Sequence, residues 1–363
     1  VLLSIKTKLK LNKRQKTLMA KHAGIARFTY NWGLATWNDL YKSRLKPNIY
    51  LLKKFFNKHL KAEYAWIKEK GICQKITQYA FEHLGQAFSR FFQGIGEKPQ
   101  FKKKGKHDSF TLDNGGKPLN VGGRSLKLPT IGWVKTYEAL PHTTCKKFTI
   151  SRTADEWFIS FTYEQDKKPT NKEYEVVGVD LGVKTLATLS TGKVFPNQKH
   201  YKRNLNKLQK LSRSYSRKVK GSNNLLKAQI KLARYHAKIK NVRHDNLHKI
   251  TTYIAKNHKL IVMEDLNVKG MLSLDKLSQS IADCGFYEFK RQLTYKADKF
   301  GSELLLASRW FPSSKTCSNC GCKKEKLLLS DRVFNCDSCG FSIDRDLNAS
   351  INISRLAETT KPA

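Results

Sequence analysis

Acidic side chains are scarce in this chain: 29 Asp and Glu stand against 69 Lys and Arg, a formal charge of +40 over 363 residues. A compact chain this basic repels itself, so the imbalance calls for a polyanionic partner, with nucleic acid the first candidate. Long apolar runs are missing too. None approaches the roughly 20 residues needed to cross a bilayer, which excludes a helical membrane protein. The opening Val1-Leu2-Leu3-Ser4-Ile5-Lys6 lacks the apolar core of a secretory leader, and secretion is not expected. No internal repeat of roughly 20 to 50 residues is visible, which argues against a solenoid. What is present is core material. Apolar residues make up 40% and aromatics 11%, so the chain is no disordered basic tail, and its length suggests two to three domains of about 150 residues.

Eight cysteines are unevenly spent. Cys73, Cys145 and Cys284 are isolated, as ordinary buried thiols are. The other five lie between 317 and 339, where Cys317-x2-Cys320 and Cys336-x2-Cys339 are separated by fifteen residues. Two thiolate knuckles at that spacing suit a closed, tetrahedral structural Zn²⁺ site in a reducing compartment, with Cys322 a spectator.

Periodicity divides the chain. Leu3 to Leu11 alternates like a half-buried strand, and Asn12 with Gln15 three residues on reads as a capping box opening a helix. Pro47 opens another helical stretch, and Ile76, Ala80, Leu84, Ala87 and Phe91 define a third that ends at Gly94. From about 107 to 165 the period becomes two, with strands at Leu126–Leu128, Lys147–Ile150 and Trp157–Tyr163. Turns are expected at Asn114-Gly115-Gly116 and Gly122-Gly123. This reads as a small β-barrel or sandwich interrupted by a helical block. Beyond 174, strands at Val176–Asp180, Lys184–Leu189, Leu260–Met263 and Glu303–Ala307 alternate with a basic hairpin over 200–256 and helices at 284–300 and from Asp346. That alternation indicates an α/β domain.

Three carboxylates punctuate this last region: Asp180 and Glu264 after apolar strands, and Asp346 at the mouth of the final helix. Converging carboxylates are expensive unless a cation neutralises them, and such a set suits two Mg²⁺ or Mn²⁺ ions clamping a phosphodiester. The segment 98–106 holds five lysines (Lys98, Lys102, Lys103, Lys104 and Lys106) and no acid. Residues 201–249 hold fifteen Lys and Arg and only Asp245 as an acid. Arg213, Arg217, Arg234 and Arg243 are the arginines of this hairpin taken as phosphate contacts. Leu232, Tyr235, Ile239 and Val242 give it one apolar stripe. Tyr30, Trp32 and Trp37 could stack on bases, but their helical spacing makes them core.

These motifs resemble the transposon-encoded TnpB (OrfB) family, regarded as ancestral to type V CRISPR effectors. The resemblance rests on Gly178-Val179-Asp180-Leu181-Gly182-Val183, Val262-Met263-Glu264-Asp265-Leu266 and Trp310-Phe311-Pro312-Ser313-Ser314-Lys315-Thr316-Cys317. It rests also on Cys339-Gly340, Asp344-Arg345-Asp346-Leu347-Asn348-Ala349-Ser350-Ile351-Asn352-Ile353 and the hairpin signature Asn241-x-Arg243-x-Asp245-x2-His248-Lys249. It implies a RuvC-like (RNase H-like) nuclease domain at 171–310 and 341–363 with a zinc ribbon inserted at 311–340. It also implies a wedge-like β-barrel at 1–12 and 97–170, interrupted by a helical recognition domain at 13–96. The implied activity is RNA-guided, metal-dependent cleavage of double-stranded DNA beside a short target-adjacent motif, in a prokaryotic cytoplasm. The implied partners are a guide RNA from the transposon end and target DNA, with one protein per guide. The family's catalytic acids fall on Asp180, Glu264 and Asp346, with Asp344 the rival for the third place. A guided DNA binder without cleavage, a guide-free nuclease of the same fold and a compact CRISPR effector are the alternative readings.

Overall fold

The computed structural model describes residues 1–114, 117, 119–275, 277–328 and 330–359. The chain forms two compact units, one of Leu2–Glu164 and one of Gln165–Ala363 together with Val1.

The first unit opens with β1 (Leu2–Lys10), whose alternation buries Leu3, Thr7 and Leu9. Helix α1 (Lys13–Lys42) follows the expected capping box: the Asn12 side chain accepts from Gln15 N at 2.8 Å and Gln15 Oε1 accepts from Asn12 N at 3.1 Å. Asn48, the residue after Pro47, caps the next helix, so α2 begins two residues past the proline (Ile49–Phe55). A π turn over Phe56–Leu60 leads into the short α3 (Lys61–Glu63), and α4 (Lys75–Phe92) closes the helical block. Five strands come next: β2 (Ser109–Asp113), β3 (Leu119–Leu128), β4 (Gly132–Cys145), β5 (Lys147–Thr153) and β6 (Glu156–Glu164). With β1 they form a six-stranded half-barrel in the order β2-β5-β6-β1-β4-β3, antiparallel throughout. Gly122-Gly123 is not a turn. The chain runs straight through it as β3, and the pair forms a bulge whose register against β4 shifts on both sides of Gly123. Gly115 and Gly116 of the other expected turn lie outside the described residues. Tyr30 is buried, Trp37 stacks on Phe88 at 4.1 Å, and Trp32 packs against Phe56 and Phe81. These aromatics are core.

The second unit is built on β7 (Tyr174–Leu181), β8 (Thr185–Leu189) and β9 (Val194–Pro196). Then come α5 (His200–Ser216), α6 (Asn223–Asn257) and β10 (His258–Glu264). Helices α7 (Val268–Leu272), α8 (Ser278–Cys284) and α9 (Phe286–Phe300) precede β11 (Glu303–Ala307). The helix expected over roughly 284–300 is α9, which starts just after Gly285, whose φ of 71° is left-handed and separates it from α8. A small ribbon, β12 (Val333–Asn335) and β13 (Ser342–Asp344), precedes the closing α10 (Arg345–Thr359). The central sheet has the order β11-β10-β7-β8-β9, with β7, β10 and β11 parallel, β8 antiparallel to β7, and β9 antiparallel to β8.

Period-two alternation sorts this sheet into two faces. Val177, Val179, Ile261 and Met263 pack into one core with residues of α6, α8 and α9. Val176, Leu260, Val262, Leu305 and Ala307 pack with Ile353, Leu356 and Ala357 of α10. Gly178 shares the parity of this second set, and there the helix backbone lies almost on the strand. A Cβ at Gly178 would sit 1.8 Å from the Ser350 carbonyl oxygen and 2.6 Å from Ser354 N. Gly178→Ala is therefore expected to abolish folding of this unit or lower the thermal midpoint by well over about 10 °C. Gly24→Ala provides the contrast in a melting comparison. Its new methyl meets nothing nearer than 3.9 Å inside α1, and it is expected to stabilise by about 0.5–1 kcal/mol.

Candidate active site and metal centre

The same parity that faces Gly178 towards α10 applies to Asp180, two residues on, and to Glu264, two residues after Val262. The register pairs Val262 with Gly178 and Met263 with Val179, so the next step along the two parallel strands carries Glu264 and Asp180. Neighbouring strands lie about 4.8 Å apart. The third acid comes from the helix. Asp344 is the N-cap of α10: its Oδ1 accepts from Asp346 N and Leu347 N, both at 3.0 Å. That bond commits Asp344 to the helix end and puts Asp346 in the first turn, one helical turn before Ser350, which lies against Gly178.

Electrostatics register the convergence. Burial, then the charges of Glu264 and Asp346, raise the Asp180 carboxyl to about 8. Arg345 opposes this weakly from beside Asp346, at 3.3 Å. Asp265 behaves in the opposite way. Hydrogen bonds from Lys290 at 2.6 Å and Arg309 at 2.9 Å hold it below the usual carboxylate range, and α9, which supplies Lys290, packs on the far side of the sheet. It is neutralised within the protein and stands apart from the other three acids. Among the described residues, only the cysteine group brings three or more potential ligand atoms within 4.8 Å of one another. The three acids do not all come that close to one another, yet Glu264 and Asp346 lie within Coulombic range of Asp180.

Glu264 has a neighbour the sequence did not single out. The Ser313 hydroxyl donates to Glu264 Oε1, and Ser313 itself is 3% exposed. Asn352 Nδ2 donates to the carbonyls of Ser313 at 2.8 Å and Thr316 at 2.6 Å. Asn348 Nδ2 donates to Thr316 O at 2.7 Å, and its Oδ1 accepts from Ser318 N at 2.8 Å. Both asparagines are buried on α10. They belong to the motif that closes the family resemblance, but nothing local in the sequence reveals what they bind.

The cysteines Cys317, Cys320, Cys336 and Cys339 converge as their spacing predicts. Sulfur pairs 317/339 and 320/336 are 3.8 and 3.5 Å apart. The two knuckles match: Cys317 N donates to Cys322 O and Gly321 N to Cys317 O, as Cys336 N donates to Phe341 O and Gly340 N to Cys336 O. Gly321 and Gly340 both take positive φ, 77° and 69°, at the bend. The Phe341 amide, ahead of the neighbouring sulfurs, holds Cys339 down to about 6. At Cys320 the Cys322 amide pulls downward but is outweighed by the surrounding thiols and desolvation, and the group is raised. Such a split is what crowded thiols show when one ionises at its neighbours' expense. Four soft donors in two knuckles fit a structural Zn²⁺. Cys322 stays outside, exposed and donating to Ser338 Oγ at 3.3 Å. Cys73, Cys145 and Cys284 are buried, and burial raises the last two to about 11.

The basic residues divide. Lys98, Lys103, Lys104, Lys106, Arg213, Arg217 and Arg234 are exposed. Lys102 turns inward over the Tyr30 ring at 4.1 Å, while Asn31 holds its backbone through both N–H and C=O. Arg243 is spent on α8, donating to the carbonyls of Ala282 and Asp283. Val242, assigned to the apolar stripe, is 41% exposed; Ile239 is buried. The lone acid Asp245 pairs with Lys249 at 2.7 Å.

Fold and site define a mixed α/β protein with a strand-end acidic cluster and a four-cysteine, zinc-finger-type centre. The chain belongs to the OrfB (TnpB) family of IS605-type insertion sequences. The OrfB_IS605 family, described as "Probable transposase", matches residues 160–275. A Cas12f1-like TNB domain matches 286–353 and a helix-turn-helix domain 1–46; in the structure that last span is β1 followed by one uninterrupted helix. "Putative RNA-guided DNA endonuclease InsQ" of Escherichia coli (strain K12) is 33% identical over 96% of this chain and 91% of its own length. A protein of Streptomyces pristinaespiralis named "Putative RNA-guided DNA endonuclease" is 39% identical over 80% of this chain and 73% of its own. The fold is shared with the protein in a Cas12f1-sgRNA-target DNA complex, with a TM-score of 0.57, 15% identity and coverage of 95% of this chain and 83% of that one.

Two outcomes follow. In chelator-treated protein, the folded state holds a proton on Asp180 that the unfolded chain, at 3.8, has released. Stability is therefore lost as pH rises from about 4 through about 8, and Asp180→Asn should raise the melting midpoint more at pH 8 than at pH 5. For the cysteines, metal analysis of purified protein should find one zinc per chain in Cys322→Ser and a loss of zinc in Cys336→Ser.

Proposed function

We propose that this protein is an RNA-guided DNA endonuclease whose Asp180, Glu264 and Asp346 hold divalent cations, Mg²⁺ or Mn²⁺, for phosphodiester hydrolysis. The observation that carries the reading is the convergence of these three acids, from β7, β10 and α10, in a chain otherwise so poor in acid. The strand order β11-β10-β7-β8-β9, with α10 laid over the first acidic strand, supports assigning the second unit to the RNase H-like (RuvC-like) class. The names of the relatives support guiding by RNA and DNA as the substrate.

Hard oxygen donors whose mutual repulsion raises one of them suit a divalent cation of the Mg²⁺ type. Bound there, such ions would supply Lewis acidity to activate water at neutral pH and positive charge to offset that of the phosphate. The protein's own part is to keep the acids apart from stray cations. Asp265 is neutralised by Lys290 and Arg309, and Asp344 is committed to the helix cap. The exposed lysines of 98–106 and the arginines 213, 217 and 234 then track phosphates of guide and target, with affinity falling steeply with salt. The proposed division keeps a barrel at 1–12 and 97–170, a recognition block at 13–96, the nuclease at 171–310 and 341–363, and a zinc ribbon at 311–340. A target-adjacent motif on the DNA would license opening of the duplex.

The test is cleavage of a plasmid by protein purified with its bound RNA. Wild type is expected to cut only a matched target. Asp180→Ala should retain the RNA and the target yet lose about a thousandfold in rate, the loss expected when several kcal/mol of charge stabilisation disappears. Cutting by Asp180→Ala at the wild-type rate would refute the site. A wild-type complex that binds its matched target and never cuts it would favour a guided binder.

A further inference from the structure

The segment joining β11 to the first zinc knuckle runs past Glu264 and is buttoned to α10 by two asparagines one helical turn apart. Each anchoring amide is doubly used. Asn352 spends both hydrogens of Nδ2 on the carbonyls of Ser313 and Thr316. Asn348 spends Nδ2 on Thr316 O and Oδ1 on Ser318 N. The segment is also tight on itself: Ser313 N donates to Phe311 O at 2.8 Å, and Thr316 Oγ1 to Pro312 O at 2.9 Å. Ser313, Asn348 and Asn352 are 3%, 0% and 3% exposed. Buried polar groups persist where their bonds are made, and replacing one partner leaves the other unpaired. The hydroxyl that this scaffold presents goes to Glu264 Oε1.

Glu264 is the acid that most needs such a hold. It has one more rotatable bond than Asp180 or Asp346 and projects from the last residue of its strand, so rotamer freedom would blur its position. We propose that Ser313 is a positioning residue for Glu264, held in place from α10 by Asn352 and Asn348. Ser313 touches neither substrate nor ion; it acts by fixing the carboxylate that does. Partners of this kind, placed behind a ligand, set metal affinity or activity by about 10–100-fold in other metal sites. The proposal rests on the reading of Glu264 as a metal-holding acid.

The experiment uses the full-length protein with its bound RNA and two readouts. One is Mn²⁺ binding measured by electron paramagnetic resonance, and the other is the Mg²⁺ concentration giving half-maximal cleavage. Ser313→Ala is expected to weaken both by about tenfold or more, with one zinc per chain and RNA retention preserved. Ser313→Thr, which keeps the hydroxyl, should restore both. Asn352→Ala should reproduce the Ser313→Ala shift, because it frees the serine backbone. If Ser313→Ala does not fold, the pair Ser313→Thr and Ser313→Val, alike in shape and differing in the hydroxyl, decides the question. Equal Mn²⁺ affinity and equal Mg²⁺ dependence in that pair, or in wild type and Ser313→Ala, would overturn the proposal. Glu264→Gln separates this failure from that of the underlying reading. If Glu264→Gln binds Mn²⁺ and cleaves as wild type does, the site assignment itself is wrong. If it loses both while Ser313→Ala keeps both, only the positioning role is wrong.

Discussion

The contact between β7 and α10 at Gly178 is the constraint on which the second unit depends. A strand and a helix normally meet through side chains, but here the Ser350 carbonyl oxygen and the Ser354 N–H lie where a Cβ would be. Only glycine permits that approach. Its consequences run in both directions along the chain. Two residues on from Gly178 along the strand is Asp180, and one helical turn before Ser350 is Asp346. From the same helix Asn348 and Asn352 reach the segment that bears Ser313, which reaches Glu264. One helix therefore sets all three acids: one by carrying it, one by packing on its strand, one through a hydrogen-bonded segment.

The price of this convergence is electrostatic, and it is visible at Asp180, which burial and its two acidic neighbours raise to about 8. A chain of +40 could have relieved the strain with a nearby lysine or arginine. It places Lys290 and Arg309 on Asp265 instead and leaves the cluster with Arg345 as a weak counterweight. A cluster kept short of protein cations in so basic a chain suits the divalent-cation site proposed for it. The exposed bases are the ones proposed to track phosphates, and the two inward ones, Lys102 and Arg243, are structural fasteners.

Features set by near neighbours in the chain were legible from the residues alone. The Asn12–Gln15 capping box, the two cysteine knuckles and the parity of the apolar strands depend on spacings of two to four residues, and the structure has each of them. The strand ends that carry Asp180 and Glu264 follow from the same parity. Features set by distant partners were not legible. Gly122-Gly123 looks like a turn until β4 supplies the register that makes it a bulge. Lys102 and Arg243 look like phosphate contacts until Tyr30, Ala282 and Asp283 appear beside them. Ser313 and Glu264 are 49 positions apart, and the asparagines that hold the serine lie 35 and 39 positions beyond it. No periodicity encodes that, and the resemblance quoted the residues without giving their work.

The central claim is that α10 gathers Asp180, Glu264 and Asp346 into one cation site. Anomalous diffraction from crystals of the protein soaked in Mn²⁺ tests it most directly. The account predicts manganese peaks with carboxylate oxygens of all three residues in coordination, and none at Asp265 or Asp344. Manganese bound by Asp344 in place of Asp346, or no peak in contact with Asp180 and Glu264 together, would contradict it.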